Sequence, residues 1–255
     1  LHVRSRRQRQ MCIRDSGSSG RICYIGSEPI YDKRLLNCRS PYQGLYTILQ
    51  TTDNAGISLR WFRDVFGDAV QQKAEAAGLS VYDYMNTLAE KVPAGCNGLV
   101  YLPYLAGEKS PIWDSDARGV FFGMSLSTDY GAFVRAIMEG VALSMRDCME
   151  IMPAAKKSIS PIPLGGGAAN SRVWCQIFAD VLNRPIVRLK SGETETLGDF
   201  IIAAESVGLT DVTRDFGKKL AAESEVLYPD SAAASVYDKA YQKYKAVYQN
   251  TKTLF

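Results

Sequence analysis

Short apolar runs alternate along this chain with longer segments whose apolar residues recur every three or four positions, which predicts strands and amphipathic helices in succession. Arg21–Gly26 reads as a strand, Pro29 to Ser40 as a polar loop, and Tyr42–Thr51 as a second strand rich in β-branched and aromatic residues. From Ala55 to Phe66 the spacing of Ile57, Trp61 and Val65 predicts a helix stopped by Gly67, with Trp61 and Phe62 as core packing. A second helix is expected over Val81–Lys91. Short strands are expected at Gly98–Leu105 and Val120–Met124, on either side of a polar loop, Ala106–Gly119. Phe133–Ile151 is the longest helix, apolar on two adjoining sides, with Arg135, Glu139, Arg146 and Glu150 on one narrow polar stripe. Ile159–Leu164 and Ile186–Leu189 read as strands and Thr196–Val207 as a helix ended by Gly208, while Thr210–Ser235 has no clear period. A terminal helix carries Tyr237, Tyr241, Tyr244 and Tyr248 on one face, as a docking surface over the core. Alternating elements joined by short turns predict an α/β layer fold.

One stretch stands apart. Pro161-Ile-Pro-Leu-Gly-Gly-Gly-Ala-Ala-Asn-Ser171 runs an apolar strand into three glycines, and a helix follows at once, with Trp174, Ile177, Phe178 and Leu182 on its apolar face. Asn170 and Ser171 are candidate caps, and Asn183-Arg-Pro185 stops the helix. Glycines let a backbone approach a ligand closely, and a helix start offers N–H groups to anions or polar rings. The same pattern also serves as a plain tight turn. The loop with Glu108, Lys109, Asp114, Asp116 and Arg118 is likewise open to two readings, a solvated surface or part of a site held by a core strand.

Composition narrows the classes. The chain has 255 residues, 46% of them hydrophobic, enough for a sizeable core in one large or two small domains. No run approaches a membrane span and no signal-peptide pattern is present. Six scattered cysteines without a CxxC pair, and a single histidine, give no metal constellation and fit a reducing cytoplasm. Residues 1–16 carry five Arg against one Asp, a local +4 within a chain total of +3, so the remainder stands at −1. Taken as native, this arm would suit nucleic acid or anionic lipid. Its sequence favours another origin: Arg6-Arg-Gln-Arg-Gln-Met-Cys-Ile-Arg-Asp15 resembles the forward translation of a common transposase-based sequencing adapter, whose codons ATG TGT ATA AGA GAC alone would give Met11 to Asp15. Residues 1–16 are therefore expected to be non-native, no nucleic-acid or membrane partner is expected, and His2 leaves the catalytic argument. Gly17-Ser-Ser-Gly20 is a tight-turn signal, and the strand that should precede it is expected to be overwritten, which predicts an unsatisfied sheet edge.

Three blocks in fixed order carry a resemblance: Gly17-Ser-Ser-Gly20, the loop Leu105-Ala-Gly-Glu-Lys-Ser-Pro-Ile-Trp-Asp114 continuing through Ala117-Arg-Gly119 to Gly123, and Pro163-Leu-Gly-Gly-Gly-Ala168. With the helix Arg135–Asp147 between the last two, they resemble the C-terminal half of the FGGY carbohydrate kinases, most of all the xylulokinase branch, over about Gly17 to Gly208. The resemblance implies an actin-like ATPase (ribonuclease H-like) fold, a mixed sheet flanked by helices. Residues 17–255 would form the C-terminal, nucleotide-binding lobe of a two-lobe cytoplasmic enzyme. ATP and Mg2+, the metal carried mainly by the phosphates, would be its cofactors, and a small sugar its substrate. The missing N-terminal domain would be its partner, and a homodimeric parent is allowed. Such a transfer of the γ-phosphate to a sugar hydroxyl is mostly positioning and charge neutralisation.

Carried over residue by residue, Gly17, Ser18, Ser19 and Gly20 would meet the phosphates, Ser18 standing where the family usually has Thr. Gly56 and Arg60 would edge the adenine pocket. Gly165, Gly166, Gly167 and Ala168 would form its floor, with Ser171 reaching the purine. No catalytic residue and no metal ligand is assigned. The family's general-base Asp is expected shortly before Gly17, where the adapter-like run stands, and Asp15 lacks its surrounding motif. Without that base and the first lobe, the chain alone is expected to show no kinase activity. Gly198-Asp-Phe200 departs from the family's Gly-Ala-Ala at Asp199 and Phe200, which leaves the sugar open: a ketopentose such as D-xylulose, or ribulose, gluconate, glycerol or another polyol. Two other readings remain: a non-catalytic nucleotide-binding or interaction module, and a dinucleotide oxidoreductase. The second is weakened because Gly165–Asn170 lacks G-x-G-x-x-G, although Glu193 and Glu195 lie near the place of a ribose partner.

Overall fold

The computed structural model describes residues 10–15, 19–152, 160–189 and 194–255, the first segment as backbone. Seven strands form one mixed sheet: β1 (Gln10–Asp15), β2 (Gly20–Gly26), β3 (Leu36–Arg39), β4 (Tyr46–Thr52), β7 (Ile162–Gly166), β8 (Ile186–Arg188) and β9 (Glu225–Leu227), in the order β3-β4-β2-β1-β7-β8-β9. Two further strands, β5 (Val100–Leu102) and β6 (Val120–Phe122), pair separately as an antiparallel ribbon. Helices α1 (Gly56–Phe66), α2 (Asp68–Ala76), α3 (Val81–Glu90), α4 (Tyr130–Glu150), α5 (Arg172–Leu182), α6 (Thr194–Ser206), α7 (Thr210–Glu223) and α8 (Ser231–Thr251) complete the described elements. None of them is long and apolar enough to cross a membrane.

The core lies where α4 crosses the sheet. Its long apolar surface packs on β2, β4 and β5 and between α3 and α5. Asp129 caps it, accepting from the N–H of Ala132 at 2.8 Å. In β2 the buried positions alternate, Ile22 and Tyr24 facing the core and Arg21 facing water, as one packed sheet face requires. The terminal helix closes the core as expected, with all four tyrosines of its face buried and the Tyr104 and Tyr244 hydroxyls 2.6 Å apart.

Several expectations are corrected. The strand before Gly17 is present: β1 pairs antiparallel with β2 through all six residues and parallel with β7 through Ile13, Arg14 and Asp15. Ladder bonds are made by backbone, so an extended segment can fill the place whatever side chains it carries. The loop from Pro29 to Ser40 contains β3, an edge strand exposed throughout its length and so without an apolar pattern to announce it. In α1 the buried face is Ser58, Leu59 and Phe62, with Trp61 half-buried and Val65 exposed. The narrow polar stripe of α4 lies where expected, and its first two members are paired inside the core. Arg135 and Glu139 are both buried, Nε to Oε1 at 2.8 Å, and the Tyr237 hydroxyl donates to the same carboxylate oxygen at 2.9 Å.

Candidate functional site

Three glycine-bearing segments meet at one end of the sheet, and register brings them there. Asp15 lies opposite Gly20 in the antiparallel β1–β2 pair and opposite Gly166 in the parallel β1–β7 pair. Gly20 in turn lies opposite Thr52, the last residue of β4, after which α1 begins at Gly56. A Cβ on Gly20 would stand 3.1 Å from Ala55 Cβ and 3.2 Å from Thr52 Cγ2, so the backbone there is fitted against the start of α1. Ser19 is half-buried at the head of β2, while Gly17 and Ser18 lie outside the described residues. Arg60, on the second turn of α1, is exposed.

At the bend, Gly166 adopts φ +89° and ψ −162°, a region closed to residues with a side chain. The chain leaves β7 through it into a single 3-10 turn, Gly167–Asn170, and then α5. Gly165 and Ala168 are buried, Gly166 is half-buried, and Gly167 and Asn170 are exposed, so the tip of the bend is open to solvent. Ser171 is the N-cap of α5: its Oγ accepts from the N–H of Trp174 at 3.1 Å and lies 2.8 Å from Asn86 Oδ1 on α3. Donating that proton to Asn86 ties the cap to α3.

Two supports hold these segments, the first of them missed by sequence reasoning. Arg188 on β8 donates from Nε to the carbonyl of Ala169 (2.6 Å) and from Nη2 to that of Asn170 (3.0 Å), and its Nη1 meets Glu225 Oε2 at 3.2 Å. It clamps the turn after the bend from the neighbouring strand. Nothing in the sequence marks it, since a basic residue at a strand end is ordinary.

The second support is Glu108. Its carboxylate is buried and accepts from Thr52 Oγ1 at 2.5 Å, from the Lys109 N–H at 2.8 Å and from the Asp53 N–H at 3.2 Å. Burial pushes the carboxyl up to about 7 against the pull of these donors. Asn54 adds bonds to the Gly107 carbonyl (2.7 Å) and the Ala106 N–H (3.2 Å), and Ser110 N–H reaches the Thr51 carbonyl. The loop expected near the cleft is thus fastened to the end of β4 beside Gly20. Its other side is held by the Tyr248 hydroxyl, which donates to Asp114 at 2.7 Å. Phe200, on the segment that departs from the family pattern, packs edge-on to Phe216 of α7, and Asp199 is exposed.

The bend thus combines a glycine with its backbone in a conformation no side chain tolerates, an exposed glycine next to it, and a helix start beside both. Among the described residues no group of three or more His, Cys, Asp and Glu is placed to hold a metal ion. A sequence profile for the FGGY family of carbohydrate kinases, C-terminal domain, matches residues 16–207. The chain belongs to the FGGY family. It is 31% identical over 240 residues to a xylulose kinase of Staphylococcus epidermidis, which covers 93% of this chain and 46% of that protein. It is 34% identical over 203 residues to a gluconokinase of Bacillus licheniformis, covering 76% and 38%. The chain therefore spans about half the length, or less, of these curated relatives. Among solved structures, a xylulose kinase from Rhodospirillum rubrum matches with TM-score 0.78 and 31% identity, over 96% of this chain and 48% of that one. A glycerol kinase from Plasmodium falciparum with ADP shares the fold, TM-score 0.74 at 20% identity, over 94% and 46%. The expected fold, an actin-like ATPase lobe of the sugar-kinase kind, is borne out.

Proposed function

We propose that residues 17–255 are the nucleotide-binding lobe of an ATP-dependent sugar kinase, which moves the γ-phosphate of ATP to a hydroxyl of a ketopentose. The observation that carries this reading is the double register of Asp15, which sets the Gly20 turn and the Gly166 bend side by side at one sheet end. A turn of backbone N–H groups next to a glycine floor suits the two ends of one nucleotide, phosphates at Gly17–Gly20 and purine at Gly165–Ala168. Gly56 and Arg60 border that space from α1, and Ser171 supports the floor as the cap of α5. Mg2+ would enter with the phosphates and screen their charge. Arg188 and Glu108 hold the two walls, and neither is assigned a proton to move.

The relatives named xylulose kinase favour a ketopentose, while the gluconokinase relatives keep a sugar acid in view. Most sugar contacts are assigned to the missing N-terminal lobe and the general base to the segment expected before Gly17, so the purified chain should bind adenine nucleotide and transfer no phosphate. The test is ADP release with D-xylulose, D-ribulose, D-gluconate and glycerol, by this chain and by residues 17–255 joined to an N-terminal FGGY lobe that runs through the base-bearing segment. Activity restored by the added lobe supports the kinase. Phosphate transfer by the chain alone, or nucleotide binding that never becomes activity in the joined protein, refutes it, the second outcome leaving a non-catalytic nucleotide-binding module.

A further inference from the structure

Glu108 does more than fasten a loop. Its Oε1 accepts from two backbone N–H groups, that of Lys109 at 2.8 Å and that of Asp53 at 3.2 Å, so one buried carboxylate sets two chain segments side by side. Thr52 Oγ1 donates to Oε2 and holds the carboxylate by its other oxygen. The bonds of Asn54 to the Gly107 carbonyl and the Ala106 N–H fix the same two segments one residue further out. The side chains that leave these backbones face each other, with Lys109 Nζ 3.2 Å from Asp53 Oδ1.

This pair stands at the end of the sheet where the glycines meet. Asp53 directly follows Thr52, which lies opposite Gly20. One strand spacing of about 4.8 Å and one residue of rise, about 3.4 Å, therefore separate Asp53 from Gly20. The strand order β4-β2-β1-β7 puts the end of β4, Gly20 and Gly166 in one row, with Asp15 between the two glycines. A nucleotide laid with its purine at the Gly166 bend and its phosphates at the Gly20 turn runs toward β4. Its terminal phosphate is then the part that comes next to Lys109.

The chemistry of the pair allows a change of partner. The Lys109 and Asp53 side chains are 54% and 37% exposed, a setting in which an ion pair adds little stability. Lysine carries its charge on a flexible stem with three rotatable donors, so the ammonium can leave a carboxylate oxygen for a phosphate oxygen of higher charge. Arg34, whose carbonyl accepts from Gln50 of β4, is less free, since Asp32 holds its Nε and Nη2 at 3.0 and 2.7 Å.

We propose that Lys109 binds the terminal phosphate of ATP, with Asp53 holding the ammonium in place before the nucleotide arrives and Glu108 positioning both. The inference rests on the reading of this sheet end as a nucleotide site and adds a named charge to it. A cation at that point neutralises charge on the group to be transferred, which is the main demand of phosphoryl transfer.

The experiment is calorimetric titration of the whole chain with ATP and with ADP, at fixed Mg2+ and ionic strength. Lys109→Met keeps most of the stem and should weaken ATP about tenfold or more, the loss of one charge-assisted bond, while ADP changes by less than about twofold. Lys109→Arg should recover most of the ATP affinity, and Asp53→Asn, which releases the ammonium and removes a negative charge, should tighten ATP. Circular dichroism melts confirm that the variants fold. If Lys109→Met weakens ATP and ADP equally, or neither, the proposal is overturned while the nucleotide site stands. Weaker ATP binding in Asp53→Asn overturns the role given to Asp53. An unmodified chain that binds neither nucleotide removes the site itself, and the proposal with it.

Discussion

The hydroxyl of Thr52 donates to the carboxylate of Glu108 across 2.5 Å, and through this bond the last residue of β4 holds the 105–119 loop. Burial keeps that carboxyl at about 7, above the 4.5 of an ordinary glutamate, so the folded chain retains a proton the unfolded chain has released. The sign follows from linkage: this contribution is fully present below about pH 4.5 and is lost as pH rises through 7. At 1.36 kcal/mol per unit it is on the order of 3 kcal/mol at most.

Glu108→Gln should remove that dependence while keeping the loop in place. A glutamine can accept from the Lys109 and Asp53 N–H groups with its carbonyl and donate to Thr52 with its amide. Urea unfolding at pH 5 and pH 8 should show the unmodified chain losing about 1–3 kcal/mol relative to the variant. Identical pH slopes would show that Glu108 does not titrate in this window.

Gly166→Val should destabilise the fold by about 1–3 kcal/mol, because φ +89° with ψ −162° is closed to a branched side chain. Thermal shift by an adenine nucleotide should disappear in the same variant. A stable variant with its nucleotide response intact would remove the bend from the site.

Arg188→Met keeps the aliphatic stem and deletes the clamp on Ala169 and Asn170. Loss of two charge-assisted bonds should cost about 1–2 kcal/mol, and nucleotide affinity measured calorimetrically should fall about tenfold. Arg172→Ala, whose exposed guanidinium meets Glu225 at 2.9 Å, serves as the comparison and should cost under about 0.5 kcal/mol.

Glu139→Ala should cost about 3–5 kcal/mol, since it strands the buried Arg135 guanidinium. The double variant Arg135→Met with Glu139→Leu should be the more stable of the two by denaturant midpoint. If the single variant proves no worse than the double, the pair is not acting as compensated charge.

Local signals carried well into the structure. The cap at Ser171, the stop at Asn183 in the left-handed region, and the buried tyrosine face of α8 all follow from spacing and backbone chemistry that the residues themselves hold. What failed depended on distant partners. The burial of Arg135 and Glu139 within the α4 stripe was not legible, because the hydroxyl that completes the pair, on Tyr237, lies 98 residues from Glu139. The strand Leu36–Arg39 lacked a pattern because neither of its faces is covered. On α1, Phe62 and the half-buried Trp61 pack on the core as expected, whereas Val65 faces solvent and Leu59 takes a buried place. At the site, the glycines were visible as glycines, whereas Arg188 and Glu108 are ordinary residues until β8 and β4 bring their targets within reach.

The strand Gln10–Asp15 occupies the fourth of seven places in the sheet, so it is a keystone more than an edging. Take it out and two triplets of strands remain, β3-β4-β2 and β7-β8-β9, each with a raw inner border of unpaired amides facing the other across an empty lane. The Gly166 bend would then sit on one fragment and Gly20 on the other. Half a dozen residues that carry no recognisable chemistry are what make the two glycine-bearing borders a single object.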